Sequence, residues 1–390
     1  MIRVLEGDAL AVLQTLPEQS VQMCCTSPPY FGLRDYGMPG QMGLEPTPKA
    51  YVAGMVAVFR EVRRVLRNDG TLWLNIGDSY NNFRTQMGPG QAVHGREKLN
   101  GKPDVKSRAR GIVGLKEKDL LGIPWMLAFA LRADGWFLRS DIIWHKPNPM
   151  PESMNDRPTS AHEHVFLMSK GPKYFYDADA IREEATSAAG NGATFRGGGS
   201  YTGGQSFQNS TPVARQSHGN VPNETLSRNT RNVWTIATQP FSGAHFATMP
   251  PDLAERCIKA GTSERGCCAE CGAPWARQIN KQIPDAIDCK IGGSPDRQDG
   301  GSRVRAAPGS GGGTQLAQTH RGTDEWTPTC AHDAQPVPCT VLDPFGGSGT
   351  TGMVADRLGR DAILIELNPA YAAMARARIT ADAPLFGAVS

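Results

Sequence analysis

The sequence predicts an α/β protein built on a mostly parallel sheet that is covered by helices. Apolar runs of strand length alternate with segments of helical spacing along the 390 residues, which is the pattern of repeated strand–helix–strand units. A glycine-rich loop also joins a predicted strand to a predicted helix near the C terminus, as in nucleotide-binding α/β folds. A chain of this length is expected to form one large α/β domain with insertions, or two to three domains.

The predicted elements follow in order. An apolar run at 21–25 gives a buried strand that ends before Thr26. The apolar positions of 51–66 recur with helical spacing, and the Asn-Asp-Gly segment at 68–70 is expected to end that helix. Further strands are expected at 71–76, 137–144, 164–169, 173–176, 339–343 and 361–366, and further helices at 124–133, 350–358 and 371–379.

Composition is that of a globular protein. Apolar residues make up 39% and charged residues 20%, and the net charge of +3 argues little about partners. The N-terminal residues lack a basic segment followed by an apolar run, and no apolar stretch is long enough to span a membrane. We therefore expect a soluble, cytoplasmic protein.

A rigid pentapeptide, Thr-Ser-Pro-Pro-Tyr, follows the first predicted strand at 26–30. An exocyclic amine of a nucleobase is a weak nucleophile because its lone pair is delocalised into the ring. The Ser27 hydroxyl and the Pro28 carbonyl can accept hydrogen bonds from its two protons, which favours a pyramidal nitrogen. Pro28 and Pro29 restrict φ and so hold both oxygens in place. Tyr30 offers a ring on which an extruded base can stack.

The glycine-rich loop near the C terminus has the spacing of a nucleotide-binding loop. Gly347, Gly349 and Gly352 lie between a predicted strand and a predicted helix, and Glu366 ends the next predicted strand. Glycines let the backbone approach a ligand closely, and Glu366 can accept hydrogen bonds from both ribose hydroxyls. This pattern alone fits nicotinamide and flavin cofactors equally well.

The residues around both motifs resemble those of one family. Asp343-Pro344-Phe345 is similar to the S-adenosylmethionine loop of the DNA amino-methyltransferases, and residues 26–30 resemble their catalytic motif. The motif order resembles the group β enzymes of bacteria and phages, in which the cofactor loop comes last. The resemblance implies a Rossmann-like, mostly parallel, seven-stranded methyltransferase sheet in circularly permuted form. Residues 2–5 then supply the strand after the last helix, so the two chain ends should be neighbours in one sheet.

The resemblance also implies roles for individual residues. Ser27, Pro28, Pro29 and Tyr30 would be catalytic, and Trp144-x-Lys146 is similar to a later element of the catalytic half. The cofactor would be S-adenosylmethionine. Its expected contacts are Asp8, Thr26, Phe246, Thr248, Met249, Asp343, Pro344, Phe345, Gly347, Ser348, Gly349, Thr350, Thr351, Glu366 and Leu367.

Motif order and composition together divide the chain into five parts. Residues 187–232 are rich in Gly, Ser, Asn and Thr, which fits either plain disorder or a recognition region that orders on its target. The expected parts are a catalytic half at 1–180, a target-recognition insertion at 181–240, a cofactor-covering segment at 241–266, a flexible insertion at 267–338 and a cofactor-binding half at 339–390.

The family resemblance also bears on the target base. A serine at the first tetrapeptide position, preceded by Thr26, is typical of cytosine-N4 enzymes, whereas adenine-N6 enzymes more often carry aspartate or asparagine there. We expect methyl transfer to cytosine N4 of a flipped base by direct in-line displacement, with adenine N6 as the alternative. Methylation at cytosine C5 would need a cysteine nucleophile. Cys339 precedes the donor strand and is interpreted as a buried small residue.

Four residues have the spacing of metal ligands. Nine cysteines in a chain of this size without a signal peptide argue against a disulfide framework. Cys268-x-x-Cys271 and Cys330-x-His332 can together complete a tetrahedral zinc site with a structural role. Cys267, Cys289 and Cys339 are competing ligands, and free thiols without a metal remain the alternative.

Two other classes of protein are compatible with parts of the sequence. A non-catalytic module that binds nucleic acid or nucleotide could use the glycine loop, but it leaves residues 26–30 unexplained. RNA and protein-glutamine methyltransferases also use a Pro-Pro-Tyr motif, but usually with asparagine first. The expected partner is double-stranded DNA in a bacterial or phage-infected cell, with no membrane association and with monomer or homodimer left open.

Overall fold

The structure is a computed structural model that describes residues 1–81, 114–184, 227–239, 248–280 and 321–382. The helices are α1 (Ala9–Thr15), α2 (Pro48–Val65), α3 (Ile123–Ala133), α4 (Pro251–Gly261), α5 (Thr350–Arg357) and α6 (Pro369–Asp382), with one 3₁₀ turn at Asp179–Ile181. The strands are β1 (Ile2–Glu6), β2 (Val21–Thr26), β3 (Leu66–Ile76), β4 (Phe137–His145), β5 (His162–Ser169), β6 (Glu183–Glu184), β7 (Ser227–Arg228), β8 (Val233–Thr235), β9 (Cys267–Cys268), β10 (Trp275–Asn280), β11 (Arg321–Pro328), β12 (Pro336–Val337), β13 (Thr340–Asp343) and β14 (Asp361–Glu366).

A central sheet of eight strands has the order β1-β14-β13-β2-β3-β5-β4-β8. The pairs from β1 to β3 are all parallel, β5 is antiparallel to both of its neighbours, and β8 is parallel to β4. The expected α/β class with a mostly parallel sheet is therefore confirmed. The sheet has one strand more than the seven expected, because three residues at β8 extend its edge beside β4.

The first strand of the chain lies beside the last. β1 pairs in parallel with β14, from Ile2 opposite Ala362 to Glu6 opposite Glu366. Arg376 of α6 reinforces this edge, since its guanidinium donates to the Val4 carbonyl at 2.7 Å. The predicted neighbourhood of the two chain ends is confirmed, and it places the loop after β1 next to the loop after β14.

Helices cover both faces of the sheet. One buried cluster joins α1, α2 and α3 to one face through residues such as Leu13, Phe59 and Leu127, and the other joins α4, α5 and α6 to the opposite face. Helix α2 begins where Thr47 caps it, with its hydroxyl accepting from the Ala50 amide and with Pro48 in the first turn. The inner parallel strands β2, β13 and β14 are consequently buried on both faces, whereas the edge strand β1 exposes Arg3 and Glu6.

Two local predictions are wrong. Residues 68–70 do not form a turn that ends a helix, because β3 already pairs with β2 at Leu66 and then bulges before Thr71 pairs with Met23. Residues 173–176 do not form a strand. They run as a loop whose Phe175 amide donates to the Asp69 carbonyl at 2.8 Å, so tertiary contacts rather than strand pairing satisfy this backbone.

The chain divides into two compact units. The first comprises 1–181, 230–276 and 326–390 and contains the central sheet. The second comprises 182–229 and 277–325. Its described residues include the antiparallel pair β6 and β7, in which Arg228 forms an ion pair with Glu183. Among the described residues, no helix combines the length and apolar character needed to cross a membrane.

Candidate active site

A cavity opens at the carboxyl ends of the parallel strands of the first unit. The loops after β1, β2, β13 and β14 all contribute to its wall, and this edge is where parallel α/β sheets bind ligands. Ser27 and Pro29 line it from the loop after β2, whereas Phe345, Gly347 and Glu366 line it from the C-terminal half. The two motifs identified in the sequence, more than 300 residues apart, therefore share one cavity.

A chain of hydrogen bonds runs from Ser27 into the catalytic half. The Ser27 hydroxyl donates to the Tyr30 phenol oxygen at 3.4 Å, and the phenol donates to Oε2 of Glu163 on β5 at 2.5 Å. Asn75 of β3 also donates to Oε2, at 3.0 Å, and Lys146 forms an ion pair with Oε1. Burial and the neighbouring carboxylate raise the pKa of the Tyr30 phenol well above its usual value, so it stays protonated and donates.

Two residues fix the position of the tetrapeptide. Tyr51 of α2 donates its phenol hydrogen to the Pro29 carbonyl at 2.8 Å. Gly77 follows β3, and a Cβ atom at that position would stand 2.8 Å from Cε2 of Tyr30. A side chain at Gly77 would consequently displace the Tyr30 ring, so this glycine is required by packing against a site residue.

Asp343 connects the catalytic strand with the glycine-rich loop. Its buried carboxylate accepts from the Thr26 hydroxyl and from the Thr351 hydroxyl, each at 2.7 Å, and from the Phe345 amide at 3.1 Å. Burial raises the pKa of Asp343 above its usual value, and the three donors oppose that rise. Asp343, Thr26 and Thr351 thus form a buried junction behind the cavity wall, where they position the two motifs.

The three glycines of the loop at 347–352 differ in whether they face the cavity or pack against other parts of the protein. Gly347 has φ of +51° and lines the cavity. A Cβ atom at Gly349, by contrast, would stand 2.9 Å from Cβ of Ala375 on α6, and one at Gly352 would stand 2.7 Å from Cδ1 of Leu364. Gly349 and Gly352 therefore serve close packing of protein against protein, whereas only Gly347 of the three lies against the ligand cavity.

Replacing Gly349 by alanine is expected to cost clearly more stability than replacing Gly359. Both residues have positive φ, +77° and +69°, so each alanine variant carries the left-handed strain of about 1 kcal/mol. A Cβ atom at Gly359 would meet no heavy atom within 4 Å, whereas one at Gly349 meets Ala375. Overpacking adds roughly another 1–3 kcal/mol. Urea unfolding measures both variants, and equal losses would contradict the packing role of Gly349.

Glu366 places a carboxylate on the wall of the cavity. Its Oε2 accepts from the Gly347 amide and its Oε1 from the Asn368 amide, both at 2.8 Å. Burial raises the pKa of Glu366 above its usual value, and these amides oppose the rise. Asp8 lines the same cavity, and its Oδ1 accepts from the Ala11 amide and so caps α1.

The structure separates the predicted cofactor contacts into two groups. Those that line the cavity are Asp8, Thr248, Met249, Pro344, Phe345, Gly347, Ser348, Glu366 and Leu367. Thr26, Asp343, Gly349, Thr350 and Thr351 lie outside the lining, and the first two and Thr351 belong to the buried junction. Phe246 lies outside the described residues. Among the predicted catalytic residues, Ser27 and Pro29 line the cavity. Pro28 is buried and does not line it, and Tyr30 does not line it either but bonds to Ser27.

Sequence reasoning missed several residues of the site. Asn75 lies in β3 and Glu163 lies between two histidines in β5, and nothing in their local sequence indicates that they converge on Tyr30. Tyr36, Met38 and Met42 line the cavity from the loop between β2 and α2. Tyr36 also packs edge-on against Tyr371, with ring centroids 6.5 Å apart. An aromatic residue in a loop next to the tetrapeptide was the available signal for Tyr36.

Cys339 lies away from this cavity. Its side chain is buried at the start of β13, where its thiol donates to the Ser263 carbonyl at 3.8 Å, and it does not line the cavity. The interpretation of Cys339 as a buried small residue agrees with this position.

Comparison with known proteins identifies the family. The sequence model of the N6_N4_Mtase family, described as DNA methylase, matches residues 21–269 and 339–377. The chain belongs to this family of DNA methylases. The Type II methyltransferase M.XycI of Xanthomonas campestris pv. cyanopsidis is 38% identical over 374 residues, which cover 96% of the chain and 86% of that protein. The Type II methyltransferase M.Cfr9I of Citrobacter freundii is 36% identical over 384 residues, covering 97% and 87%.

One solved structure adds support for the fold. The PvuII DNA methyltransferase (cytosine-N4-specific) superposes with a TM-score of 0.51 at 16% identity, covering 100% of the chain and 89% of that structure. The family match makes the protein an S-adenosylmethionine-dependent DNA amino-methyltransferase. The superposition supports the methyltransferase fold. Both conclusions agree with the resemblance stated from the sequence, and DNA is the substrate of the enzyme.

Proposed function

We propose that this methyltransferase modifies the N4 amine of a cytosine that is flipped out of duplex DNA. The orientation of the Ser27 hydroxyl in the cavity shared by both motifs carries the assignment to an exocyclic amine, and the resemblance of Thr26-Ser27 to cytosine-N4 enzymes favours cytosine N4. The hydrogen of the Ser27 hydroxyl is engaged by the Tyr30 phenol, whose own hydrogen is engaged by Glu163. The Ser27 oxygen is therefore left to accept a hydrogen bond, as recognition of an amine requires.

The tetrapeptide supplies two acceptors for the two protons of that amine. Tyr51 already engages the Pro29 carbonyl, and we assign the second acceptor to the Pro28 carbonyl, as the family resemblance implies. Two fixed acceptors favour a pyramidal nitrogen whose lone pair points away from them, so the residues prepare the nucleophile without forming a bond to it. The reaction then needs no enzyme-linked intermediate, and its acceleration comes from alignment in a single in-line displacement.

The residues around the cavity fit S-adenosylmethionine. The Glu366 carboxylate, already held by two backbone amides, retains lone pairs that can accept from two ribose hydroxyls, and Gly347 presents backbone without a Cβ atom. Phe345, Thr248 and Met249 give the cavity a partly apolar wall, and Asp8 can accept from an amino group of the adenine. S-adenosylmethionine, when bound, supplies a methyl group activated by a sulfonium.

Replacing Glu366 by glutamine is expected to weaken S-adenosylmethionine binding by roughly 10- to 100-fold, the size of losing hydrogen bonds to a charged group. The wild-type affinity should also depend on pH. Burial raises the pKa of Glu366 above the ordinary glutamate value of 4.5, so its carboxylate is protonated at a higher pH than usual. Protonation removes the acceptor, and the affinity for S-adenosylmethionine should therefore fall as the pH falls through this raised pKa. Isothermal titration calorimetry across the pH range around this pKa measures both effects.

Glu6 provides a matched control for the Glu366 experiment. It occupies the same register as Glu366 on the neighbouring strand, but it forms an ion pair with Arg376 and does not line the cavity. E6Q should bind S-adenosylmethionine like the wild type. An E366Q variant with unchanged affinity, or with the same pH dependence as the wild type, would remove Glu366 from the cofactor site.

Each part of the chain receives a proposed role. We assign target recognition to the segment at 181–240 and the covering of the cofactor to 241–266, while 1–180 and 339–390 carry the two halves of the site. Stacking on Tyr30 and hydrogen bonds to the flipped base offset the few kcal/mol that extrusion costs.

Because the substrate is cellular duplex DNA and the relatives are named Type II methyltransferases, we propose a cytoplasmic role in restriction-modification.

Adenine N6 is the second candidate, because both targets are exocyclic amines and the two acceptors suit either one. Sequencing of modified bases in DNA from cells that express the chain decides between them, with cells that express S27A as the control. N4-methylcytosine at a fixed position of one recurring motif is the expected result. N6-methyladenine in its place would overturn the base assignment, and unmodified DNA would contradict the proposed activity.

A further inference from the structure

We propose that Cys268, Cys271, Cys330 and His332 bind one zinc ion whose role is structural. Their sulfur and nitrogen ligand atoms all lie within 4.8 Å of one another in the first unit. Sγ of Cys268 is 3.7 Å from Nδ1 of His332. A tetrahedral zinc site with metal–ligand bonds of about 2.0–2.3 Å places its ligand atoms roughly 3.5–3.8 Å apart, so only a small contraction is required.

The backbone around Cys268 and Cys271 has the shape of a metal-binding turn. The Gly272 amide donates to the Cys268 carbonyl at 2.7 Å, and the Cys268 amide donates to the Ala273 carbonyl at 2.8 Å. Gly272 has φ of +67°, a left-handed conformation that glycine adopts without strain.

A carboxylate lies near the ring nitrogen of His332 that does not face Cys268. Nδ1 of His332 faces Cys268, while Nε2 lies 3.9 Å from Oε2 of Glu270. A carboxylate near the second ring nitrogen favours the tautomer in which Nε2 carries the hydrogen and Nδ1 is free to bind a metal. Three thiolates and one imidazole form a closed, soft ligand set that is typical of structural zinc and leaves no position for a substrate.

The site lies at the opposite end of the sheet from the catalytic cavity. Arg67 donates to the Cys271 carbonyl, and Gln22 donates to the Gly272 carbonyl at 3.3 Å and accepts from the Thr340 amide at 2.6 Å. Gln22 and Thr340 lie near the starts of β2 and β13, whereas the reaction takes place where those strands end. The metal therefore has no access to the reacting atoms.

Three of the four ligands lie in a stretch of the chain that the family model does not match. The family match ends at residue 269 and resumes at residue 339, so Cys271, Cys330 and His332 lie outside it. The chain leaves the first unit after residue 276 and re-enters it at 326, between the two ligand pairs. One ion would thus join the two ends of this segment and fix residues 330–339, which lead into β13, the strand before the cofactor loop.

Elemental analysis of the full chain, purified without a polyhistidine tag, tests the proposal. We expect about one zinc ion per chain in the wild type and a loss of most of it in C271S. Two cysteine variants serve as matched controls: C289S, outside the described residues, and C267S, whose thiol donates to the Pro338 carbonyl at 3.7 Å instead. Both should keep the ion.

A second measurement covers the case in which C271S fails to fold. Cobalt(II) added to the chelated wild-type protein should give the intense d–d and thiolate charge-transfer bands of a tetrahedral site, and H332A, which keeps all three thiolates, should shift those bands. Chelation should lower the thermal unfolding midpoint of the wild type while the S-adenosylmethionine affinity below that midpoint stays unchanged. Wild-type protein with negligible zinc, stoichiometric iron instead of zinc, or equal zinc in the wild type and folded C271S would overturn the assignment.

Discussion

Replacing Ser27 by alanine is expected to lower the single-turnover rate of methyl transfer by about 100-fold or more, the size of removing one preorganised hydrogen-bonding group from an active site. The affinities for S-adenosylmethionine and DNA should change little. Ser27 acts on the amine as it becomes nucleophilic, whereas other residues provide most of the binding surface. Rapid-quench measurements at saturating DNA and cofactor give the rate, and equilibrium titrations give both affinities.

Ser20 supplies the matched control for the Ser27 variant. Its hydroxyl donates to the Pro17 carbonyl at 2.7 Å, just before β2, at the end of the strand away from the cavity. S20A should transfer methyl groups at the wild-type rate. If S27A kept that rate as well, or lost DNA affinity in proportion to the rate, then the Ser27 oxygen would not be an acceptor for the reacting amine.

Replacing Asp343 by alanine is expected to cost about 2–4 kcal/mol of the free energy of unfolding, because buried donors are left without their acceptor. The Thr26 hydroxyl is fully buried and loses its 2.7 Å partner, whereas the Thr351 hydroxyl can turn to the Cys25 carbonyl at 3.4 Å. The Phe345 amide loses its partner too, so the loop should lose affinity for S-adenosylmethionine. Urea unfolding and cofactor titration measure these losses.

A double-mutant cycle shows whether the loss arises from this junction. Valine at Thr26 and Thr351 removes both hydroxyl donors with little change of shape, so D343A should cost much less in the T26V/T351V background than in the wild type. D343N keeps one oxygen acceptor and should lie between the wild type and D343A. An identical cost of D343A in both backgrounds would mean that the two threonines are not coupled to Asp343.

The sequence predicted strands well where burial alone determines them. β14 was predicted at its observed bounds of Asp361–Glu366, and the prediction for β2 ends one residue short of Thr26, because both are continuous apolar runs between polar loops. Tertiary structure overrode local signals elsewhere. Residues 68–70 were predicted as a turn but lie in a bulge of β3, where a Cβ atom at Gly70 would stand 2.8 Å from the Gln22 carbonyl oxygen.

The site was predictable in its chemistry but not in its supporting contacts. Ser27 and Glu366 stand in motifs whose residue types and spacing indicate what they do. The family resemblance implied a cofactor contact for Asp343, yet its carboxylate accepts from Thr26 and Thr351. Which partner a side chain selects depends on strand order, and Thr26 and Asp343 meet only because β2 pairs with β13. No local pattern contains that information.

Strand order also explains why β8 was missed. Val233–Thr235 are strand-forming residue types, but the strand is only three residues long and follows the polar stretch at 187–232, so its pattern is too short to predict. They form a strand because β4 offers a free edge in parallel register, and because Trp234 packs against Trp73 with ring centroids 6.2 Å apart. A strand this short is stabilised by its partners rather than by its sequence.

The central claim is that the tetrapeptide and the glycine-rich loop act across one cavity to methylate an exocyclic amine directly. Mass spectrometry of nucleosides from duplex DNA incubated with the enzyme and trideuteriomethyl-labelled S-adenosylmethionine tests it most directly. We expect a nucleoside that carries all three deuterium atoms on an exocyclic nitrogen, and a strongly reduced yield of it with S27A. Label on carbon C5 of cytosine, or no labelled base at all, would contradict the claim.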